Sequence, residues 1–423
     1  MTELGPNPLA AGERNISVDE ARTAIAAALR PISGTQTLPL AQASGRVLAA
    51  DVISPIDVPA HDNSAMDGYA FDGSALAAGG PLTLRSVATV YAGTPFDGTL
   101  AASDCVRIMT GAVMPVGLDT VVPLELCQAD GAQVHLAPGV VRPGENRRRR
   151  GEDLAAGKPA LKAGRVLRPA DLGLVASLGL ETVTVMRALR VALFSTGDEV
   201  IAPGQPLPPG GIYDSNRFAL AAALRRLDME VIDLGLVRDD RAALQATLDR
   251  AVASTDVVLT SGGVSAGDAD YTRDVLAGMG EVAFWKVAMR PGRPFAFGPL
   301  NASDGRRSWL FGLPGNPVAA LVTFYVFARQ ALLQLAGATP EPTPTLQARS
   351  AVAIRKRPGR TEFQRGIVRR GADGGWDVHL TGSQGAGVLR SMSEANALVV
   401  LHHDQGSVAA GDPVEVWLFD ALV

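Results

Sequence analysis

Apolar and polar positions follow three different rhythms along this chain. Residues 18–30 (VDEARTAIAAALR) repeat apolar residues at helical spacing. That predicts an amphipathic helix with Asp19 and Glu20 at its electropositive start. From there to about residue 145 the rhythm is that of strands: VLAADVIS, PLTLRSVATV, CVRIMTG, TVVPLE and AQVHLAP, each cut short by Gly, Pro or Asp. The arginine run Arg147–Arg150 closes this β-rich stretch. The segment GEDLAAGKPALKAGRVLRPADLGLVASLGL then predicts turns and one helix near 169–178.

From residue 188 strands and helices alternate. RVALFSTGDEV, EVIDLGLV, DVVLTSGG, EVAFWKVA, FAFGPL and SWLFGLPGNP read as strands. NRFALAAALRRLDM, DRAALQATLDRAVAS, DYTRDVLAGMG and the long apolar PVAALVTFYVFARQALLQLAG read as helices. This spacing predicts a parallel sheet covered on both faces, with ligands at its strand ends. ATPEPTPT at 338–345 is a linker, and the short strands after it predict a small β domain. No internal repeat marks a solenoid.

Composition narrows the class. A chain of 423 residues implies about two to four domains. With 47% apolar and 19% charged residues it reads as soluble and globular. A net charge of -4 gives no electrostatic case for nucleic acid. Cys105 and Cys127 lack CxxC spacing and a histidine pair, which argues against zinc and for a reducing cytoplasm. The N-terminus has no apolar stretch behind a basic start, and no run nears the roughly 18 uninterrupted apolar residues of a spanning helix. An intracellular protein without membrane attachment is the expectation.

Several strings carry chemistry. In TSGGVSAGDADYT (260–272), Gly262 and Gly263 let backbone N–H groups approach an anion, and Ser265 adds a hydroxyl. Asp268 and Asp270 follow, just before a helix. Carboxylates beside a phosphate loop need a cation between them; the plain alternative is a βα turn capped by Asp270. STGDEV (195–200) puts Asp198 and Glu199 at the same strand-end edge, where two acids can hold Mg²⁺ against a pyrophosphate; the alternative is a solvated turn. FWKVAMRPGRPFAFG (284–298) presents Lys286, Arg290 and Arg293 on a proline-stiffened loop suited to an oxyanion, or merely to solvent. GLPGNP (312–317) predicts a helix start with Asn316 as N-cap and Pro317 at the first position. DNSAMDGYAF (62–71) and RIMTGA (107–112) are bland by themselves. The arginine run reads as a solvated face or a phosphate patch, with Glu145, Glu152 and Asp153 weakening any nucleic-acid role. His402 and His403 have no acidic or cysteine partner at metal-ligand spacing, and no GxSxG motif is present.

Taken together, SAMDGYA, RIMTGA, RRGED, STGDE, TSGGVSAGDADYT, FWKVAMRPGRPFAFG and GLPGNP occur in the order found in the molybdopterin molybdenumtransferases, the family of bacterial MoeA and the C-terminal part of gephyrin. The chain resembles that family over essentially its whole length. The resemblance implies a multidomain α/β fold. Residues 1–51 and 151–187 form a discontinuous elongated dimerisation domain. Residues 52–150 form an inserted β-rich domain, residues 188–337 a doubly wound molybdopterin-binding domain, and residues 345–423 a C-terminal β domain. It implies a cytoplasmic homodimer that contacts the adenylyltransferase of the preceding step and recipient molybdoenzymes transiently, without membrane or nucleic acid.

The implied reaction inserts molybdate into adenylylated molybdopterin, with pyrophosphate cleavage and AMP release. By the same resemblance Glu199 and Asp270 hold Mg²⁺, and Lys286 stabilises phosphate charge. Arg290, Arg293, Arg360 and Ser391 meet molybdate. Asp67, Thr110, Arg148 and Asp153 serve from the β-rich side, facing the partner subunit, and Asp239 is a further acid near the site. Arg290 stands where many relatives have Lys, Ala319 where Ser is frequent, Arg147 where an aliphatic residue is usual, and Asp268 where Glu is common. Two other readings compete: an adenylyltransferase, disfavoured by GGVS and the extra domains, and a non-catalytic molybdopterin-binding scaffold, disfavoured by the retained Glu199, Asp270 and Lys286.

Overall fold

A computed structural model describes residues 14–263, 270–302 and 304–422. The α/β part is built on a seven-stranded sheet. In chain order its strands are β1 (Arg14–Ile16), β2 (Arg190–Thr196), β3 (Glu230–Val237), β4 (Val257–Ser261), β5 (Ala283–Val287), β6 (Pro294–Asn301) and β7 (Arg307–Leu313). They lie in the order β1-β5-β6-β7-β4-β2-β3. The four strands β7, β4, β2 and β3 run parallel, as the βα alternation predicts. The sheet is mixed beyond them: β6 is antiparallel to both β7 and β5, because short turns join these strands where a crossover helix is absent. The N-terminal β1 adds in parallel to β5, a pairing three residues long that no local pattern announces.

Alternation along each strand splits the core between the two faces. Leu193, Leu259, Phe295 and Phe311 face helices α1 (Val18–Ala28) and α3 (Asn216–Arg226) and the long helix Pro317–Leu335. Ala192, Phe194, Val258 and Leu310 face α4 (Arg241–Ser254) and α5 (Asp270–Met279). The α1 start is closed by a capping box: the Glu20 amide donates to Ser17 Oγ at 3.2 Å and the Ser17 amide donates to Glu20 at 2.7 Å. The long helix contains a π turn at Phe324–Ala328. It is long and apolar enough to cross a membrane by composition, but its apolar faces are taken up by the core, with 67% of its most apolar window buried.

The remaining parts are β-rich. A six-stranded sheet spans Gly68–Phe71 through Gln133–Leu136 and has its own two cores. Chain segments on either side of it pair with each other: Thr35–Pro39 with Thr182–Met186, and Val52–Ile53 with Pro159–Leu161. They share one core through Leu48, Val52, Leu161, Val175 and Val185, with α2 (Pro169–Ser177) packed on it. The C-terminal strands close into a small barrel, because Thr361–Arg370 pairs with both Trp376–Leu380 and Ala397–Leu401.

Candidate active site

The carboxyl ends of β2, β4 and β7 bring three turns together. The first, after β4, holds Gly262 and Gly263 at φ +94° and +68°. A Cβ on Gly262 would overlap the Thr196 carbonyl oxygen, so this turn requires glycine at that position. Its amide donates to the Leu313 carbonyl at 3.0 Å. The second turn, after β2, carries Asp198 and Glu199. Thr196 donates a short hydrogen bond to the Asp239 carboxylate, and the Asp239 amide donates to Asp198 Oδ1 at 3.3 Å. Asp239, at the end of β3, is thereby wired into the acidic turn. The third turn is Pro314-Gly315-Asn316, before the long helix. Pro317 occupies the first helical position as expected, but the Asn316 side chain makes no capping hydrogen bond. Ser265 and Asp268 lie outside the described residues. Asp270 is the first residue of α5, and its side chain lies outside the described residues as well.

The cationic loop leaves the same edge. Because β5 is antiparallel to β6 and β6 to β7, β5 ends where β4 and β7 end. Lys286 is the penultimate residue of β5. Arg290 is exposed on a two-residue strand that pairs with Thr361 and Glu362 of the C-terminal barrel, and Arg293 donates to Asn15 at 3.5 Å. The barrel closes over this loop. The Val318 amide, at the start of the long helix, donates to the Ala386 carbonyl of the barrel at 3.0 Å.

The barrel contributes an arginine that sequence reading passed over. Arg365 is fully buried. Its Nε donates to Ser391 Oγ at 3.0 Å and its Nη2 to the Ser383 and Gly385 carbonyls at 3.3 and 3.0 Å. Its Nη1 is buried with no acceptor among the described residues. Burial, and then the charge of Arg290, push its pKa down to about 10, so it is still a cation at neutral pH. A buried cation with an unsatisfied donor beside a second arginine suits an oxyanion. Ser391 is buried too, and its hydroxyl donates to the Val388 carbonyl at 2.6 Å. Arg360 is half-buried and pairs with the buried Glu362 at 3.0 Å. The only clue in sequence to Arg365 is a charge inside EFQRGIV, which otherwise reads as a strand facing a core.

Asp67 and Thr110 form a separate pair on the six-stranded sheet. Asp67 Oδ1 accepts from both the amide and the hydroxyl of Thr110, each at 2.7 Å. Those two bonds hold its carboxyl below the usual carboxylate range. Arg148 lies close by, paired in register with Asn63, and Asp153 is exposed a few residues on. The hydrogen bonds of Asp67 and Thr110 stay within their own sheet. The arginine run is not uniformly solvated: Arg147 is half-buried at 3.6 Å from Asp62, and Arg150 pairs with Asp57 at 2.6 Å. His402 does meet an acid, Glu415 at 3.4 Å, brought across by the pairing of Ala397–Leu401 with Pro413–Leu418.

Three family profiles cover the chain: "MoeA N-terminal region (domain I and II)" over residues 16–179, "Probable molybdopterin binding domain" over 192–334, and "MoeA C-terminal region (domain IV)" over 347–419. A molybdopterin molybdenumtransferase of Haemophilus influenzae is 40% identical over 96% of this chain and 100% of its own length. The chain belongs to the molybdopterin molybdenumtransferase family. A second relative, molybdopterin molybdenumtransferase 2 of Mycobacterium tuberculosis, is 40% identical over 92% of this chain and 95% of its own. In fold, a crystal structure of a molybdopterin biosynthesis moeA protein from Pyrococcus horikoshii matches with a TM-score of 0.81 at 27% identity, covering 96% of this chain and all of that one. The profile for molybdopterin binding covers the strand-end turns, and the C-terminal profile covers Arg360, Arg365 and Ser391.

A cavity of about 950 Å³ lies elsewhere, at the far ends of the same helices, where Arg226 closes α3 and Arg329 to Gln334 close the long helix. Its Arg165, Arg168 and Arg329 are engaged by Asp171, Glu341 and the Leu422 carbonyl. The glycine turn, the acidic turn and the cationic loop meet at the strand ends instead, which makes that edge, and not this cavity, the candidate site.

Proposed function

We propose that this chain inserts molybdate into molybdopterin, taking the pterin in its adenylylated form and releasing AMP. One observation carries the reading. A glycine turn, an acidic turn and a cationic loop all leave the carboxyl edge of one sheet, and the barrel that holds Arg365 is bonded to that edge. The turn at Gly262 and Gly263 receives the pyrophosphate, with the Gly262 amide itself held by the Leu313 carbonyl. Lys286 stabilises charge on the cleaving phosphate. Arg290, Arg293 and the buried Arg365 receive the oxyanion, with Arg360 at its margin; Ser391 holds Arg365 in place.

Glu199 and Asp270 would hold Mg²⁺. The described residues show no ready cage of three His, Cys, Asp or Glu side chains. Mg²⁺ does not need one: it is usually held by one or two carboxylates together with phosphate oxygens, which this edge offers. The ion would neutralise charge on the pyrophosphate.

The domain arrangement fits this reading. The pairing of residues 35–53 with 159–186 supports one discontinuous unit drawn from 1–51 and 151–187, with 52–150 inserted, 188–337 as the α/β unit and 345–423 as the barrel; β1 and α1, which pack on the seven-stranded sheet, go with the α/β unit instead. Asp67 and Thr110 bond to each other beside the six-stranded sheet, Arg148 sits on a separate two-stranded pairing and Asp153 follows it; a second copy in a homodimer would set these four against a strand-end edge. The two free cysteines suit the cytoplasm.

Incubation with ATP and unmodified molybdopterin separates this reading from its rivals. No adenylylated pterin should form. Its accumulation would make the chain an adenylyltransferase. Tight binding of adenylylated pterin without turnover would make it a scaffold.

A further inference from the structure

The acidic turn starts against the glycine turn, where Thr196 lies beside Gly262 and Gly263. After Thr196 the chain makes an excursion that carries Asp198 and Glu199 and returns into α3. The return is pinned along its length. The Ile212 amide donates to the Glu199 carbonyl at 2.8 Å, and the Asp214 amide donates to the Ile201 carbonyl at 2.9 Å. Val200 and Ile201 pair in parallel with Ile212 and Tyr213. Asp214 is buried, accepting from Ser195 Oγ at 3.1 Å and from Arg217 Nε at 2.8 Å. The excursion is thus a rigid piece whose position is set where it rejoins the sheet.

It rejoins at Asn216, the first residue of α3. The Asn216 amide group donates twice, to Ser261 Oγ at 2.7 Å and to the Gly315 carbonyl at 2.7 Å. Ser261 precedes the glycine turn, and its hydroxyl donates on to the Pro314 carbonyl at 3.3 Å. Gly262 completes the web through the Leu313 carbonyl. One carboxamide therefore spans three segments: the returning acidic excursion, the glycine turn and the turn before the long helix.

We propose that Asn216 is a positioning residue that fixes the Glu199 turn against the two glycine turns. The inference rests on the function proposed above and deepens it. Only a carboxamide does this at that reach. Its NH₂ supplies two donors in a plane, whereas aspartate is of the same shape but only accepts, and would face the Gly315 carbonyl with like charge. Without the tie, glycine amides and acid each keep their local turn but lose their mutual spacing, which is what a pre-organised site depends on.

The test uses the full-length protein with Asn216→Asp and, as a milder second variant, Ser261→Ala, which removes one of the two acceptors. Two readouts are taken. The first is amide hydrogen exchange, without ligand, in peptides covering 258–263 and 311–318. The second is kcat and KM for AMP release from adenylylated molybdopterin with molybdate. For Asn216→Asp we expect about tenfold faster exchange in both peptides, unchanged exchange in 361–370, kcat lowered about tenfold or more and KM changed less. Ser261→Ala should show the same pattern at smaller amplitude. Unchanged exchange in the two turns overturns the tie. Faster exchange with unchanged kcat overturns its role in positioning. If the wild type itself releases no AMP, the functional reading fails instead, and the exchange data alone decide whether the tie exists.

Discussion

Arg365 and Ser391 satisfy each other inside the barrel: the guanidinium Nε donates to the hydroxyl oxygen at 3.0 Å, while the hydroxyl proton goes to the Val388 carbonyl. That leaves the Arg365 Nη1 as a buried donor without an acceptor among the described residues. The site therefore offers an anion Arg365 before it offers Ser391. Arg365→Gln should raise the molybdate concentration for half-maximal turnover about 10- to 100-fold, the loss of one charge-assisted hydrogen bond. Ser391→Ala should raise it less than Arg365→Gln does. Titrating molybdate in AMP-release assays of both variants checks the ranking; the reverse order would return the contact to Ser391.

Gly262 sits at φ +94° with the Thr196 carbonyl where a Cβ would be. Gly262→Ala should cost about 1–3 kcal/mol of stability from backbone strain and abolish measurable binding of adenylylated molybdopterin. Calorimetric unfolding and titration calorimetry read the two effects separately. Wild-type affinity in a folded variant would exclude this turn from the phosphate site.

Asp67 carries a folded pKa below its ordinary value, first through the Thr110 amide and then through its hydroxyl. A lowered carboxyl pKa adds stability above the unfolded value, about 4, and loses it as pH falls. Asp67→Asn should therefore be less stable than wild type at pH 7, with the gap closing below about pH 4. Thermal melts across that range test it. A gap that is constant with pH would mean the charge plays no part.

The Cys105 thiol is fully buried, and burial pushes its pKa up to about 12. It should remain unalkylated at pH 8 in the folded protein and react only after denaturation. Mass spectrometry after iodoacetamide treatment shows which. Rapid native labelling of Cys105 would show that the six-stranded sheet opens locally.

Much of this was legible in the sequence because the signals are local. Apolar runs such as VVLTS and RVALFST are buried strands, and the glycine pair, the TGDE turn and the GNP turn each follow one of them. What was not legible depends on distant partners. β1 is three residues whose partner lies more than 250 positions away, and antiparallel β6 has the same apolar pattern as a parallel strand. Arg365 looks like surface charge until the barrel closes around it. Asn216 looks like an ordinary helix start until Ser261 and Gly315 are placed beside it. The Glu415 partner of His402 is likewise a product of hairpin register.

Metal insertion at the strand-end edge is tested most directly by AMP release. Purified protein is loaded with adenylylated molybdopterin and Mg²⁺, and AMP release is followed with and without molybdate. AMP release should depend on molybdate, with molybdenum in the pterin product. AMP release at the same rate without molybdate, or bound pterin with no AMP released at all, would contradict it.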